Sequence, residues 1–197
     1  MKLKILYSVI VMLPLSYLQG QIITCSPVFP TPSDAVTITF YDDQGNKGLM
    51  DYPGDVYAHT GVITDKSTSG SDWKYVISTW QFNIPKAKMT RVSANVYTLT
   101  ISPSIKDFYG VAAADTVKKL AFVFRSSDGT REGKTATGGD IFYDVIKELT
   151  FAVSIASPEE NSLLVTPGDI ISVTANASKA DSLKIFDNDT ELAETSA

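Results

Sequence analysis

The sequence predicts an all-β protein, an antiparallel β-sandwich followed by an incomplete immunoglobulin-like β domain. Short runs of β-branched and aromatic residues recur along the chain, and clusters of Gly, Asp, Asn and Ser separate them. No long segment shows the 3.6-residue period of an amphipathic helix, so a parallel sheet with crossover helices is not expected. Hydrophobic residues make up 44% of the 197 residues and charged residues 20%, which is typical of a folded core.

Six runs before residue 147 are predicted strands, because each is rich in residues that favour a pleated, half-buried surface. They are "AVTITFYD" (35–42), "DVYAHTGVIT" (55–64), "WKYVIST" (73–79), "VYTLTIS" (96–102), "KLAFVFR" (119–125) and "DIFYDVI" (140–146). The turn clusters "DDQGN", "DYPGD", "STSGSD" and "SSDGT" lie between them. The segment "SPSIKDFYGV" predicts one brief helical turn after Pro103.

The chain divides into three predicted segments. Residues 1–20 form a signal peptide, since Lys2 and Lys4 precede an apolar stretch shorter than the roughly 20 residues of a membrane span. Residues 22–147 form the sandwich. Residues 148–197 hold too few strands for an immunoglobulin-like domain of about 100 residues, so we expect this domain to be truncated. A secreted or cell-surface location follows, with an uncleaved anchor or a lipid on Cys25 as the alternatives.

Charge and composition exclude several classes of function. A net charge of −5 disfavours nucleic-acid binding. One histidine and one cysteine cannot build a common His/Cys zinc site, and no G-x-S-x-G elbow is present for a serine hydrolase. No cofactor is expected, although "DDQGN" (42–46) has the alternating oxygen ligands of a structural calcium loop. The same five residues also suit an ordinary Asx turn.

The segment "VYAHTGVITDKSTSGSDWKYV" (56–76) holds the one histidine of the chain. If its first part is a strand, Val56, Ala58 and Val62 share one face, because successive side chains of a strand point to opposite sides. This small apolar set suits the core. Tyr57 and His59 are therefore expected to point outward together.

Aromatic side chains around His59 predict a sugar-binding surface. Gly61 is expected to leave open space beside the outward pair, and Trp73 opens the next predicted strand. Trp80 differs from Trp73 in strand parity, so a continuous strand would place the two indoles on opposite faces. Flat rings suit the apolar faces of pyranoses, and a neutral imidazole offers one donor and one acceptor to hydroxyls. The alternative is that the rings belong to the core and His59 caps a turn.

A family resemblance adds to this interpretation. His-x-Gly on one strand, preceded by Tyr and followed after a loop by Trp, resembles the starch-binding modules of carbohydrate-binding families 25 and 26. The blocks "DVYAHTGVIT", "SDWKYV", "KLAFVFRSSDGTREGK" and "GGDIFYDV" look like the N-terminal module of secreted α-amylase-type glycoside hydrolases of the Bacteroidetes, over residues 22–147. The resemblance implies sugar contacts from His59 and Trp73, joined by Tyr57 and Trp80.

The same resemblance implies the partners. It implies starch or another α-glucan as ligand, and a covalently linked family-13 catalytic barrel in the full-length product. We therefore expect non-catalytic glucan binding that targets the enzyme to polysaccharide, with no nucleic-acid partner and no membrane partner after signal removal. Two alternatives stay open. One is a structural or adhesive module without a sugar site, and the other is a glycosidase with two facing carboxylates of its own.

Overall fold

The computed structural model describes residues 20–148, 150–158, 164–166 and 168–196. The predicted signal peptide therefore lies outside the described residues, apart from Gly20. Within them the helical elements are α1 (Ile105–Tyr109) and a single 3₁₀ turn (Pro85–Ala87). The strands are β1 (Ile23–Ser26), β2 (Val36–Tyr41), β3 (Val56–Thr64), β4 (Thr90–Ser93), β5 (Val96–Ile101), β6 (Val117–Ser126), β7 (Glu132–Gly133), β8 (Ile141–Asp144), β9 (Ala152–Ser157), β10 (Thr174–Ser178), β11 (Ser182–Asp187) and β12 (Thr190–Ser196).

Two antiparallel sheets form the body of the protein, which confirms the predicted all-β, sandwich-like fold. The first sheet has the strand order β1-β2-β5-β4. In the second sheet β3 pairs with one edge of β6, while β7 and β8 pair with successive parts of its other edge. Farther along the chain, β9 pairs with β10 and β11 pairs with β12, each antiparallel. None of the described helices is long and apolar enough to span a membrane.

The core lies between the two sheets and follows the alternation of each strand. Val36, Ile38 and Phe40 of β2 are buried, and the residues between them are half-exposed. Phe40 stacks on Phe124 of β6 with ring centroids 4.0 Å apart, which joins the first sheet to the second. The predicted inward positions of Val56, Ala58 and Val62 on β3 are also buried in this cluster.

The helical turn after Pro103 is confirmed as α1. The Ser104 side chain accepts a hydrogen bond from the Asp107 backbone N–H at 3.0 Å, so it caps the first turn. Gly110 ends the helix in the left-handed conformation, which glycine adopts without a Cβ clash. The turn seats Tyr109 in the core, where its hydroxyl lies 2.7 Å from the hydroxyl of Thr60 on β3.

The second sheet is covered on both faces. Every residue of β3 except His59 is buried, including those whose side chains point away from the core. The segment 74–89 runs beside the free edge of β3, where Val62 and Lys74 exchange backbone hydrogen bonds of 2.9 and 2.8 Å. The Met89 N–H donates to the Val56 carbonyl at 2.8 Å. These contacts occupy an edge that would otherwise expose unpaired backbone groups.

The prediction of a strand over 73–79 is wrong. Only Lys74 in this segment forms a β-bridge, and Tyr75 has a φ of 52°, outside the extended region. Gly61 explains the close approach: a Cβ there would lie 2.9 Å from the Lys74 carbonyl oxygen and 3.0 Å from the Val76 side chain. The expected open space beside Gly61 is therefore filled by this segment.

Candidate functional site

A cleft of about 380 Å³ lies on the outer face of the second sheet, above His59. His59 on β3 and Val123 on β6 are direct cross-strand neighbours, and they form its floor. The segment that follows β3 builds one side. The remaining lining residues are Ser71, Asp72, Trp73, Val76 and Asp140.

Aromatic rings surround the His59 imidazole. The Trp73 ring stacks on it with a centroid distance of 5.7 Å and an interplanar angle of 26°. Trp80 meets it edge-on, at 5.1 Å and 77°. Phe142 of β8 lies edge-on to Trp73 at 6.3 Å, which extends the row of rings. Trp80 is 36% exposed and Phe142 is 37% exposed, so the cluster is partly open to solvent.

The polar loop before Trp73 folds on itself and holds the indole in place. The Trp73 Nε1–H donates to the Gly70 carbonyl at 3.0 Å. Asp72 accepts hydrogen bonds from the Thr68 backbone N–H at 2.9 Å and from the Lys74 ammonium at 2.7 Å. These bonds, chiefly the one from Lys74, lower the pKa of Asp72 to about 2, so this carboxylate is charged at neutral pH.

The turn between β6 and β7 holds the segment that contains Trp80. The Gln81 side-chain amide donates to the Asp128 carbonyl at 2.8 Å, and that of Asn83 donates to the Ser127 carbonyl at 2.9 Å. Gly129 in this turn has a φ of 71°, and a Cβ on it would lie 3.0 Å from Trp80 Nε1. A turn remote in sequence therefore forms the support for the Trp80 ring.

His59 is kept neutral. Burial and the neighbouring Arg125 cation lower its pKa, against the opposing effect of the Asp140 carboxylate. Its Nδ1 atom is buried and has no hydrogen-bond partner in the described part of the chain. A neutral imidazole offers one donor and one acceptor, so this ring has polar capacity that the protein itself does not satisfy.

The structure brings three of the four predicted sugar-contacting residues together. His59, Trp73 and Trp80 share one surface, because the irregular course of 73–80 cancels the parity difference expected for a strand. Tyr57 does not reach that surface. It is only 9% exposed, and its ring lies beneath the Arg125 guanidinium at 5.3 Å.

The sequence interpretation missed Asp140 and Phe142. Ile141 of β8 is buried, so strand alternation alone places Phe142 on the outer face, and this signal was available in "DIFYDVI". No hydrogen bond or ion pair engages the Asp140 carboxylate in the described residues, although Asp140 lines the cleft. No local pattern shows that this residue lies beside His59, since 81 positions separate them.

Two further features of the sequence are the "DDQGN" turn and Cys25. No three His, Cys, Asp or Glu side chains are arranged to hold a metal ion in the residues described. At the "DDQGN" turn, one oxygen of Asp42 accepts a hydrogen bond from the Leu49 N–H at 3.1 Å. Cys25 is a free, buried thiol, and burial raises its pKa to about 12, so it is unreactive.

Comparison of the chain with models of known protein families finds no match. Comparison with curated proteins likewise finds none. The starch-binding resemblance in the sequence therefore stays a prediction, and the geometry of the cleft is the basis for proposing a function.

Proposed function

We propose that this protein binds α-glucan without catalysis, through the cleft above His59. One observation supports the proposal most directly: a neutral imidazole that lines an open cleft has two tryptophan rings packed around it. Partly exposed aromatic rings grouped around polar atoms are typical of a ligand site, because exposed apolar surface otherwise lowers solubility.

The geometry of the rings suits a pyranose. Trp73 and His59 line the same cleft, and an indole face there can pack against the C–H face of a sugar, where burial contributes about 25 cal/mol per Å². Polar side chains line the same cleft and can bond to the hydroxyls of a sugar. The hydroxyl of Ser71 and the free carboxylate of Asp140 are acceptors there, and His59 completes the set.

Weak affinity is expected from so open a site. A dissociation constant between ~10 µM and ~1 mM corresponds to about −7 to −4 kcal/mol. Such affinity is useful when the module is attached to a catalytic barrel of the α-amylase type, because tethering raises the local concentration of polysaccharide. The proposal therefore includes a secreted or cell-surface location and a covalently linked glycosidase domain.

A structural or adhesive module is the second candidate function. The burial of Tyr57 favours it, because a ring predicted to contact sugar instead packs inside the protein. The two functions differ in one measurable property, which is retention by a glucan.

Affinity electrophoresis in native gels that contain starch, glycogen or dextran tests the proposal. We expect starch to retard the wild type, and Trp73→Ala and His59→Ala to weaken binding at least about tenfold, or 1.4 kcal/mol. Phe151→Ala is the matched control, because Phe151 is 65% exposed but lies outside the cleft. Equal mobility of the wild type with and without every glucan would favour the adhesive function instead.

A further inference from the structure

We infer that Arg125 is a positioning residue for the aromatic group around His59: its buried guanidinium fixes the segment 80–83, and with it the Trp80 ring that packs on His59, against the outer face of the second sheet. This inference deepens the proposed function. The effect of Arg125 on glucan binding rests on the proposed function. Its effect on the position of the Trp80 ring is independent of that function.

Arg125 is a buried cation without an acidic partner. It is 0% exposed, although its side chain points away from the core of the sandwich. No carboxylate pairs with it among the residues that the structure describes. A buried charge is costly unless other groups replace the water it loses, so the groups that do so are strongly constrained.

Backbone and amide oxygens replace that water, and two of them belong to the Trp80 segment. The Nη1 of Arg125 donates to Asn83 Oδ1 at 2.8 Å and to the Ser126 carbonyl at 3.0 Å. Its Nη2 donates to the Phe82 carbonyl at 3.1 Å. The planar guanidinium therefore connects β6 to the segment 80–83 through several bonds at once, which a lysine ammonium does not reproduce.

Two aromatic rings complete the environment of the cation. The guanidinium carbon lies 5.3 Å from the Tyr57 ring centroid and 5.8 Å from that of Trp80, both within the range of cation–π attraction. Tyr57 is the direct cross-strand neighbour of Arg125. Arg125 thus lies in contact with Tyr57 beneath it and with Trp80 above it. The buried tyrosine supports the cation that holds Trp80, although it touches no ligand itself.

These contacts exist only while the segment lies against the sheet. If the segment moved away, Arg125 would lose the Phe82 and Asn83 oxygens together with the Trp80 ring. The cation therefore stabilises the arrangement in which Trp80 stands beside His59. The Gln81 and Asn83 amide bonds to the neighbouring turn act in the same direction.

The chain contains two tryptophans, so Trp73→Phe leaves Trp80 as the sole tryptophan, which excitation at wavelengths that tyrosine does not absorb reports alone. In that background we compare acrylamide quenching of Trp80 with and without Asn83→Ala, which removes one acceptor from Arg125 together with the Asn83 bond to the Ser127 carbonyl. Arg125→Lys keeps the Asn83 bond and so isolates the part of the guanidinium. Asn46→Ala is the matched control. Asn46 is also exposed and also donates to a distant backbone carbonyl, that of Glu132 at 2.9 Å, but it lies outside the cleft.

We expect Asn83→Ala to raise the Stern–Volmer constant of Trp80 about twofold through local opening, and Asn46→Ala to leave it unchanged. Arg125→Lys, where it folds, should raise the constant as well, because the charge alone does not hold the segment. Equal quenching in the two asparagine variants would overturn the inference. If quenching changes while the wild-type protein does not bind starch, the proposed function fails and the positioning role stands. If the wild type binds starch while quenching is the same in all variants, the positioning role fails and the proposed function stands.

Discussion

Strands β3 and β6 carry aromatic rings against both of their faces, and the two sets are built differently. Toward the core, Phe124 stacks on Phe40 at 4.0 Å and on Phe122 at 5.6 Å, and all three rings are essentially buried. Away from the core, the two indoles surround His59 at 5.1 and 5.7 Å and remain partly exposed. The inner set is closed and apolar, whereas the outer set is open and contains polar atoms.

The difference separates packing from binding. The inner rings gain stability from the removal of apolar surface from water, which needs no further partner. The outer group includes a buried imidazole nitrogen without a hydrogen-bond partner and an arginine without an acid, both of which weaken the free protein. Mutations on the inner face should therefore affect folding, and those on the outer face should mainly affect binding.

The largest expected effect comes from Phe124→Ala. Removing this fully buried ring should cost about 3–5 kcal/mol of unfolding free energy, measured by urea denaturation, because the cavity and the lost burial add together. Trp80→Ala, which removes a larger ring, should cost about 1 kcal/mol, since that ring is already partly solvated. A similar cost for the two variants would show that the outer rings are a second core.

Sequence reasoning predicted the inner face far better than the outer one. The alternation in "VYAHTGV" correctly placed Val56, Ala58 and Val62 of β3 in the core, because the side chains on one face of a strand recur at every second residue. The outer face depends on an irregular segment. Its course is set by Gly61, by the left-handed Tyr75 and by side-chain bonds to distant backbone carbonyls, none of which has a local period.

A buried acid directly after the end of β2 offers a second comparison with Arg125. Burial raises the pKa of Asp42 to about 7, and one of its oxygens has no partner in the described structure. The folded state thus keeps a proton that the unfolded chain releases near pH 4. Stability is full below that pH, decreases as pH rises through 7, and then levels off.

Asp42→Asn should remove about 3 kcal/mol of this pH dependence between pH 4.5 and 7.5, because each unit of pKa difference is worth about 1.4 kcal/mol. The amide keeps an oxygen for the Leu49 N–H but does not ionise. Urea denaturation at the two pH values measures the difference for each protein. Asp55→Asn is the control, because Asp55 is exposed and pairs with Lys88 at the surface. If Asp42→Asn has the same pH dependence as the wild type, Asp42 is not the group that keeps a proton in the folded state.

Gly61→Ala tests how tightly the covering segment lies on the sheet. Its Cβ would lie 2.9 Å from a backbone oxygen, which cannot rotate away, so we expect a loss of about 1–2 kcal/mol in thermal or urea unfolding. Gly70→Ala is the matched control within the same region: its Cβ would meet only Phe142, at 4.0 Å. Equal stability of the two variants would mean that the segment 74–76 is loosely held.

The smallest expected effect concerns the protonation of His59. Its pKa lies below the ordinary value of 6.5, so on acidification the unfolded chain takes up a proton before the folded protein does. Stability is therefore full above pH 6.5 and decreases as pH falls through that value. The difference between wild type and His59→Gln isolates this contribution, since the other titrating groups cancel.

Because His59 is the sole histidine, its imidazole NMR signals report the pKa without overlap. Asp140→Asn should lower this pKa further, since the Asp140 carboxylate is the group that favours the charged ring. Asp144→Asn, four residues farther along the chain and paired with Lys119, should leave it unchanged. A pKa at or above 6.5 in the wild type would show that the ring is hydrated. The rings around His59 would then not exclude water from it, and the outer aromatic group would resemble an ordinary protein surface.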